Sequence, residues 1–147
     1  MGIKYRPRAG MSWSAMRKIL ERENICDSLK GRIQYFQTRY RGAHDQHGRM
    51  AIRLDGKEIV GANYFDSYDG IKEAMCESSF YDSFYEYYNN SVDKNLESSR
   101  PLVLLFTIMD KRVGKRRLER LSLEVTEQPE WLSVFLKIRF EAEGILI

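Results

Sequence analysis

Hydrophobic and polar residues alternate with a period of two over residues 32–64, and that stretch reads as a three-stranded antiparallel meander. The middle strand is the clearest, with Met50, Ile52 and Leu54 on one side and Arg49, Ala51 and Arg53 on the other. Asp55-Gly56 is a two-residue hairpin signal that pairs Leu54 with Lys57, Arg53 with Glu58 and Ile52 with Ile59. Upstream, the polar loop 42–48 closes most simply by pairing Arg41 with Arg49. That register sends Phe36, Thr38 and Tyr40 to the core face. It sends Tyr35, Gln37, Arg39 and Arg41 outward with Arg49 and Arg53. A slip by one residue would invert the first strand.

The period then lengthens to that of a helix. Ser12 or Ser14 caps a helix carrying Trp13, Met16, Ile19 and Leu20 and ending near Asn24. Residues 69–97 repeat Ile71, Met75, Phe80, Phe84, Tyr88, Val92 and Leu96, with a phase slip at Ser78-Ser79 that allows one helix or two. Pro101 suits a first helical position and is followed by Leu102, Leu105, Phe106, Met109 and Val113, with Gly114 weakening or ending that helix. Pro129 opens a last helix with Trp131, Phe135, Ile138 and Ala142, closed by Gly144. The pattern predicts a single α+β domain over residues 11–147, with a loose basic leader at 1–10.

Composition changes this picture little, but charge does. The 147 residues are 43% hydrophobic and 31% charged, as in ordinary water-soluble domains. Net charge is +3, unevenly spread: residues 1–53 carry a net of +8, residues 54–100 a net of −6, and residues 101–147 a net of +1. One part of the fold then neutralises another, or a basic surface is left for polyanions. There is no signal-peptide pattern, and the apolar run at 102–109 is too short to span a bilayer. Those features point to a cytoplasmic protein with no membrane association. Cys26 and Cys76 lack metal-ligand spacing and read as free thiols.

The candidate chemistry lies in four places. Like charges facing each other across a sheet are unfavourable, so Arg39, Arg41, Arg49 and Arg53 on one face call for anions. A planar guanidinium fork suits phosphate, and Tyr35 would add a stacking surface. The same cations would instead be closed internally if the acidic helix with Glu73, Glu77, Asp82 and Glu86 lay against the sheet. His44, Asp45 and His47 share a loop; an exposed turn, a ligand contact for His44 and a metal site are three readings of it. A second basic run holds Lys111, Arg112, Lys115, Arg116, Arg117 and Arg120. Six rings crowd residues 80–88, where Tyr81, Tyr85 and Tyr88 are candidates for a protein partner or a homodimer. No nucleophile–base pair, cofactor loop or cysteine metal site is present, which leaves enzyme activity the minority reading.

Three segments resemble a family of small uncharacterised bacterial proteins. They are Cys26-Asp-Ser-Leu-Lys-Gly-Arg-Ile-Gln-Tyr35 with its continuation to Ile59, Met109-Asp-Lys-Arg-Val-Gly-Lys-Arg-Arg-Leu118, and Arg139-Phe-Glu-Ala-Glu-Gly-Ile145. The resemblance implies a start near Met11 but no activity, substrate or catalytic residue.

Two functions lead as expectations, with a metal-dependent hydrolase built on His44, Asp45 and His47 as a weaker third. One is a non-enzymatic module that holds a nucleic acid or nucleotide through Tyr35, Arg39, Arg41, His44 and Arg49, with Lys115 and Arg116 as a second patch. The other is a protein–protein adaptor that uses the tyrosine-rich helix and pairs its arginines internally.

Overall fold

A computed structural model describes residues 11–39, 48–62, 77–124 and 129–145, with positions 38–39, 48–49, 61–62, 77–79 and 122–124 described by backbone alone. The leader at 1–10, Tyr40, Arg41, the His44–Asp45–His47 loop, Glu73 and Cys76 lie outside the described residues.

The first element is helix α1 (Trp13–Lys18), which runs on into a π-helical turn (Ile19–Glu23). Ser12, not Ser14, caps it: its hydroxyl accepts the Ala15 N–H at 3.1 Å. Met16 and Leu20 face inward, and the turn closes on Asn24. A 3₁₀ turn (Asp27–Leu29) leads into strands β1 (Ile33–Arg39), β2 (Gly48–Leu54) and β3 (Lys57–Ala62), which form an antiparallel sheet in that order. Cys26 is a buried free thiol.

At the hairpin, Asp55 and Gly56 both take positive φ, 54° and 83°, as a type I′ turn requires. Leu54 pairs with Lys57 and Arg53 with Glu58 as expected. The next pair departs: Ile52 meets Val60, not Ile59, because a bulge falls between Ile52 and Arg53.

The first strand is inverted relative to expectation. β1 pairs Tyr35 with Ile52, Gln37 with Met50 and Arg39 with Gly48, three positions from the register that joins Arg41 to Arg49. An odd shift exchanges the two faces. Ile33 and Tyr35 therefore enter the core, where Tyr35 is only 2% exposed. Its ring meets Phe80 and Phe106 edge-on at 5.8 and 5.5 Å, and its backbone N–H donates to Glu21 at 2.6 Å. Burial of two large side chains and this bond outweigh the shorter loop that the other register allows.

Five helices follow: α2 (Glu77–Asn89), α3 (Val92–Asn95), α4 (Pro101–Ile108), α5 (Lys115–Glu124) and α6 (Glu130–Ala142). Helix α2 includes Ser78 and Ser79, and the stretch before Glu77 lies outside the described residues; α2 ends at Asn89, and Ser91 caps α3 by accepting the Lys94 N–H at 3.1 Å. Helix α4 stops at Ile108 and does not reach Val113. Every residue of α4 from Leu102 to Ile108 is buried, so α4 is the axis of the core, packed against α2, α3 and α6. Gly144, at φ 73°, ends the last helix region as its position after α6 suggested. The architecture is α+β, with a three-stranded sheet and six α-helices among the described residues. None of these helices is long and apolar enough to cross a membrane.

Candidate anion-binding surface

The basic run begins in the turn between α4 and α5. Asp110 is its buried anchor. Its carboxylate accepts three bonds from Arg112: the backbone N–H at 2.8 Å, Nε at 2.9 Å and Nη2 at 2.6 Å. Tyr87 Oη, from α2, donates a fourth to Asp110 Oδ2 at 2.5 Å and accepts one from Asn24 Nδ2 at 2.9 Å. The backbone repeats the link, with Lys111 N–H on Asn24 O at 2.7 Å and Cys26 N–H on Met109 O at 2.9 Å. Three parts of the chain that are far apart in sequence are thus joined beneath the turn.

Electrostatics follow from that packing. Burial alone would push the Asp110 carboxyl up, but the bonds from Arg112 and Tyr87 together with the guanidinium charge hold it below its ordinary value. Burial, then donation to Asp110, raises the Tyr87 phenol above its ordinary range. Arg112 is raised by its bond to Asp110 and stays charged. Asp110 and Arg112 are therefore spent on each other.

Above this anchor α5 opens with Lys115, Arg116 and Arg117 and has no acid in its first turn. A helix N-terminus already carries partial positive charge, so cations there are unfavourably placed. Arg117 finds a partner: its Nε and Nη2 bond both carboxylate oxygens of Asp93 at 2.8 and 3.2 Å. Lys111, Lys115 and Arg116 are exposed, and none makes an ion pair among the described residues. At the positive end of α5, Asp93 thus answers Arg117, and Lys115 and Arg116 are left without a paired acid among the described residues.

The sheet looks different from what the sequence predicts. Tyr35 is a core residue, so it offers no outward stacking surface. Arg39 and Arg49 are described by backbone alone, and Arg41 and His44 lie outside the described residues. Arg53 covers the half-buried ring of Phe36 at 4.1 Å, a cation–π contact. Arg32 is held by Asp55 through bonds of 2.9 and 2.8 Å, which lower the Asp55 carboxyl. Of the acidic helix residues expected to face the sheet, Glu86 instead pairs with Arg100 at 3.5 Å and accepts from Ser98 at 2.6 Å, and Asp82 is exposed.

The tyrosine-rich helix is mostly core. Tyr87 is fully buried and Tyr85 is 8% exposed, which removes Tyr85 from any outward face. Tyr88, 51% exposed, stacks on Phe84 at 5.4 Å. Among the described residues no group of three metal-ligating side chains comes together.

Sequence reasoning missed the Asn24–Tyr87–Asp110 network, whose members are separated by 63 and 23 positions. The one local signal was an aspartate directly before Lys111-Arg112.

A family model matches residues 12–73 and 66–140. The chain belongs to the SF0329 protein family. That family is uncharacterised, as the resemblance implied. The match covers every element from α1 to α5 and most of α6, so the anchor at Asp110 and the basic turn lie inside the region that the SF0329 family model spans. No match to the chain is found among curated proteins or among solved structures.

Proposed function

We propose that this SF0329 family member is a non-enzymatic cytoplasmic module that binds a phosphate-bearing ligand, a nucleic acid or a nucleotide, at the basic opening of α5. The observation that carries this reading is the opening of α5, where Lys115 and Arg116 stand at the positive end of the helix with no paired acid among the described residues and Lys111 lies exposed in the turn before them. A phosphate there gains from both side chains and from the free N–H groups of the first turn. The Asp110–Arg112 and Asp93–Arg117 pairs fix the turn and the helix in advance, so little order is lost on binding. Arg39, Arg41 and Arg49, with His44, are a second contact region in the same proposal. Tyr35 is not part of it.

The adaptor reading keeps less support. With Tyr85 and Tyr87 in the core, α2 presents chiefly Tyr88 as a large exposed ring.

The test is fluorescence anisotropy with a generic labelled oligonucleotide at low salt. Binding with a steep salt dependence that weakens on Lys115→Ala plus Arg116→Ala is the expected result. No binding, or binding indifferent to both substitutions, removes α5 as the contact surface.

A further inference from the structure

Helix α3, the turn after it and helix α5 flank a half-open groove of about 460 Å³, lined by Asp93, Leu96, Glu97, Arg117, Arg120 and Leu121. Its charges divide into two kinds. Asp93 and Arg117 are committed to each other by the two bonds given above. Arg120 and Glu97 line the same groove, and neither forms an ion pair among the described residues. The groove therefore offers one uncommitted cation, one uncommitted anion and no net charge, over the apolar surfaces of Leu96 and Leu121.

That pattern selects its occupant. A phosphate polyanion would meet two carboxylates, and a plain hydrocarbon would leave both free charges unused. A matched ligand carries one positive and one negative group on a small body with an apolar portion. The volume falls in the range of ordinary small-molecule sites. An arginine fork takes a carboxylate through paired bonds, and a glutamate takes an ammonium. Lys115 falls on the opposite side of α5 from Arg117, whereas Arg116 lies one turn before Arg120 on the same side; titration with an amino acid in phosphate-free buffer tests the groove apart from the phosphate-binding proposal.

We propose that the α3–α5 groove binds a free aliphatic α-amino acid, with its carboxylate on Arg120, its ammonium on Glu97 and its side chain toward Leu96 and Leu121. Calorimetric titration of the full chain with L-leucine, with isopentylamine and with 4-methylpentanoate tests it. The two analogues each lack one of the charged groups. L-leucine is expected to bind saturably at one site, and each analogue about tenfold or more weaker. Glu97→Gln and Arg120→Gln should each weaken leucine by a similar factor. Both side chains are exposed, so circular dichroism should show the fold unchanged. Backbone amide shifts on adding leucine should cluster on α3 and α5. A flat leucine titration into the millimolar range overturns the proposal, and so does equal binding of either analogue or unchanged affinity in either variant.

Discussion

Tyr87 donates its phenolic hydrogen to Asp110 across 23 positions of sequence, at 2.5 Å, and so ties α2 to the turn that launches α5. The bond lies inside the core, where an unmet polar group is costly. Tyr87→Phe should therefore lower stability by about 1–3 kcal/mol, although it removes only one oxygen, because Asn24 also loses its acceptor. Asp110→Ala should cost at least as much, since it releases Arg112 and Tyr87 together. Urea denaturation of the two variants beside the parent checks both.

Acid should weaken the protein partly through the same carboxylate. An unfolded aspartate titrates near about pH 3.9, and folded Asp110 is held lower. In that interval the unfolded chain binds more protons, so stability is present above about pH 4 and falls as pH drops through the folded value. Asp110→Asn should flatten this part of the profile. On the alkaline side, burial raises Tyr35 and Tyr87. Their share is intact below about pH 10 and lost as pH climbs through the raised values. Tyr35→Phe should make that loss shallower, as read from urea midpoints across a pH series.

The register of β1 is open to a direct comparison. Tyr35→Ala removes a ring from the core and should cost about 3–5 kcal/mol. Phe36→Ala removes a half-buried ring beside Arg53 and should cost clearly less. Thermal melts of the pair would show the reverse order if Phe36 were the inward residue.

Arg139 is a buried guanidinium, 2% exposed, whose Nη2 donates to Val113 O at 2.6 Å and pairs with Glu143 at 3.3 Å. Its Nε and Nη1 have no hydrogen-bond partner among the described residues. Removing this guanidinium alone leaves Val113 O without its donor and Glu143 without its partner, which is unfavourable inside a core. Arg139→Met should thus lower stability by about 1–3 kcal/mol, and Arg139→Ala by about 2–4 kcal/mol, because it also leaves a cavity; urea midpoints of both variants check the order.

The basic opening of α5 makes a quantitative statement about salt. For duplex DNA, the slope of log affinity against log salt should shrink by about 0.9 for every phosphate that a variant no longer neutralises. Lys115→Ala plus Arg116→Ala should therefore flatten the slope by about 2 at most. Substituting Arg112, already committed to Asp110, should act mainly on stability.

The local features of the fold were legible because neighbouring residues decide them. A serine at the start of α1 (Ser12 or Ser14 by sequence, Ser12 in the fold), the Asp55-Gly56 turn and Gly144 after α6 each declare a backbone conformation through their own chemistry. The pairing of β1 was not legible. Residues 33–40 carry an aromatic on each parity, Tyr35 against Phe36, so the pattern supports either face. The choice was made by Phe80, Phe106 and Glu21, far away in sequence. The same reason hid the Asp110 anchor and the α3–α5 groove. Lys115 and Arg116 were visible as a charge run, while the commitment of Arg112 and Arg117 to aspartates depended on the fold.

Helix α4 meets protein on all sides, and this sets the order in which the molecule comes apart. Its amides should be the last to exchange with deuterated solvent, because nothing short of losing the surrounding helices lets water reach them. A chain cut ahead of Glu130 would strip one flank of that greasy rod and should precipitate rather than persist as a smaller domain.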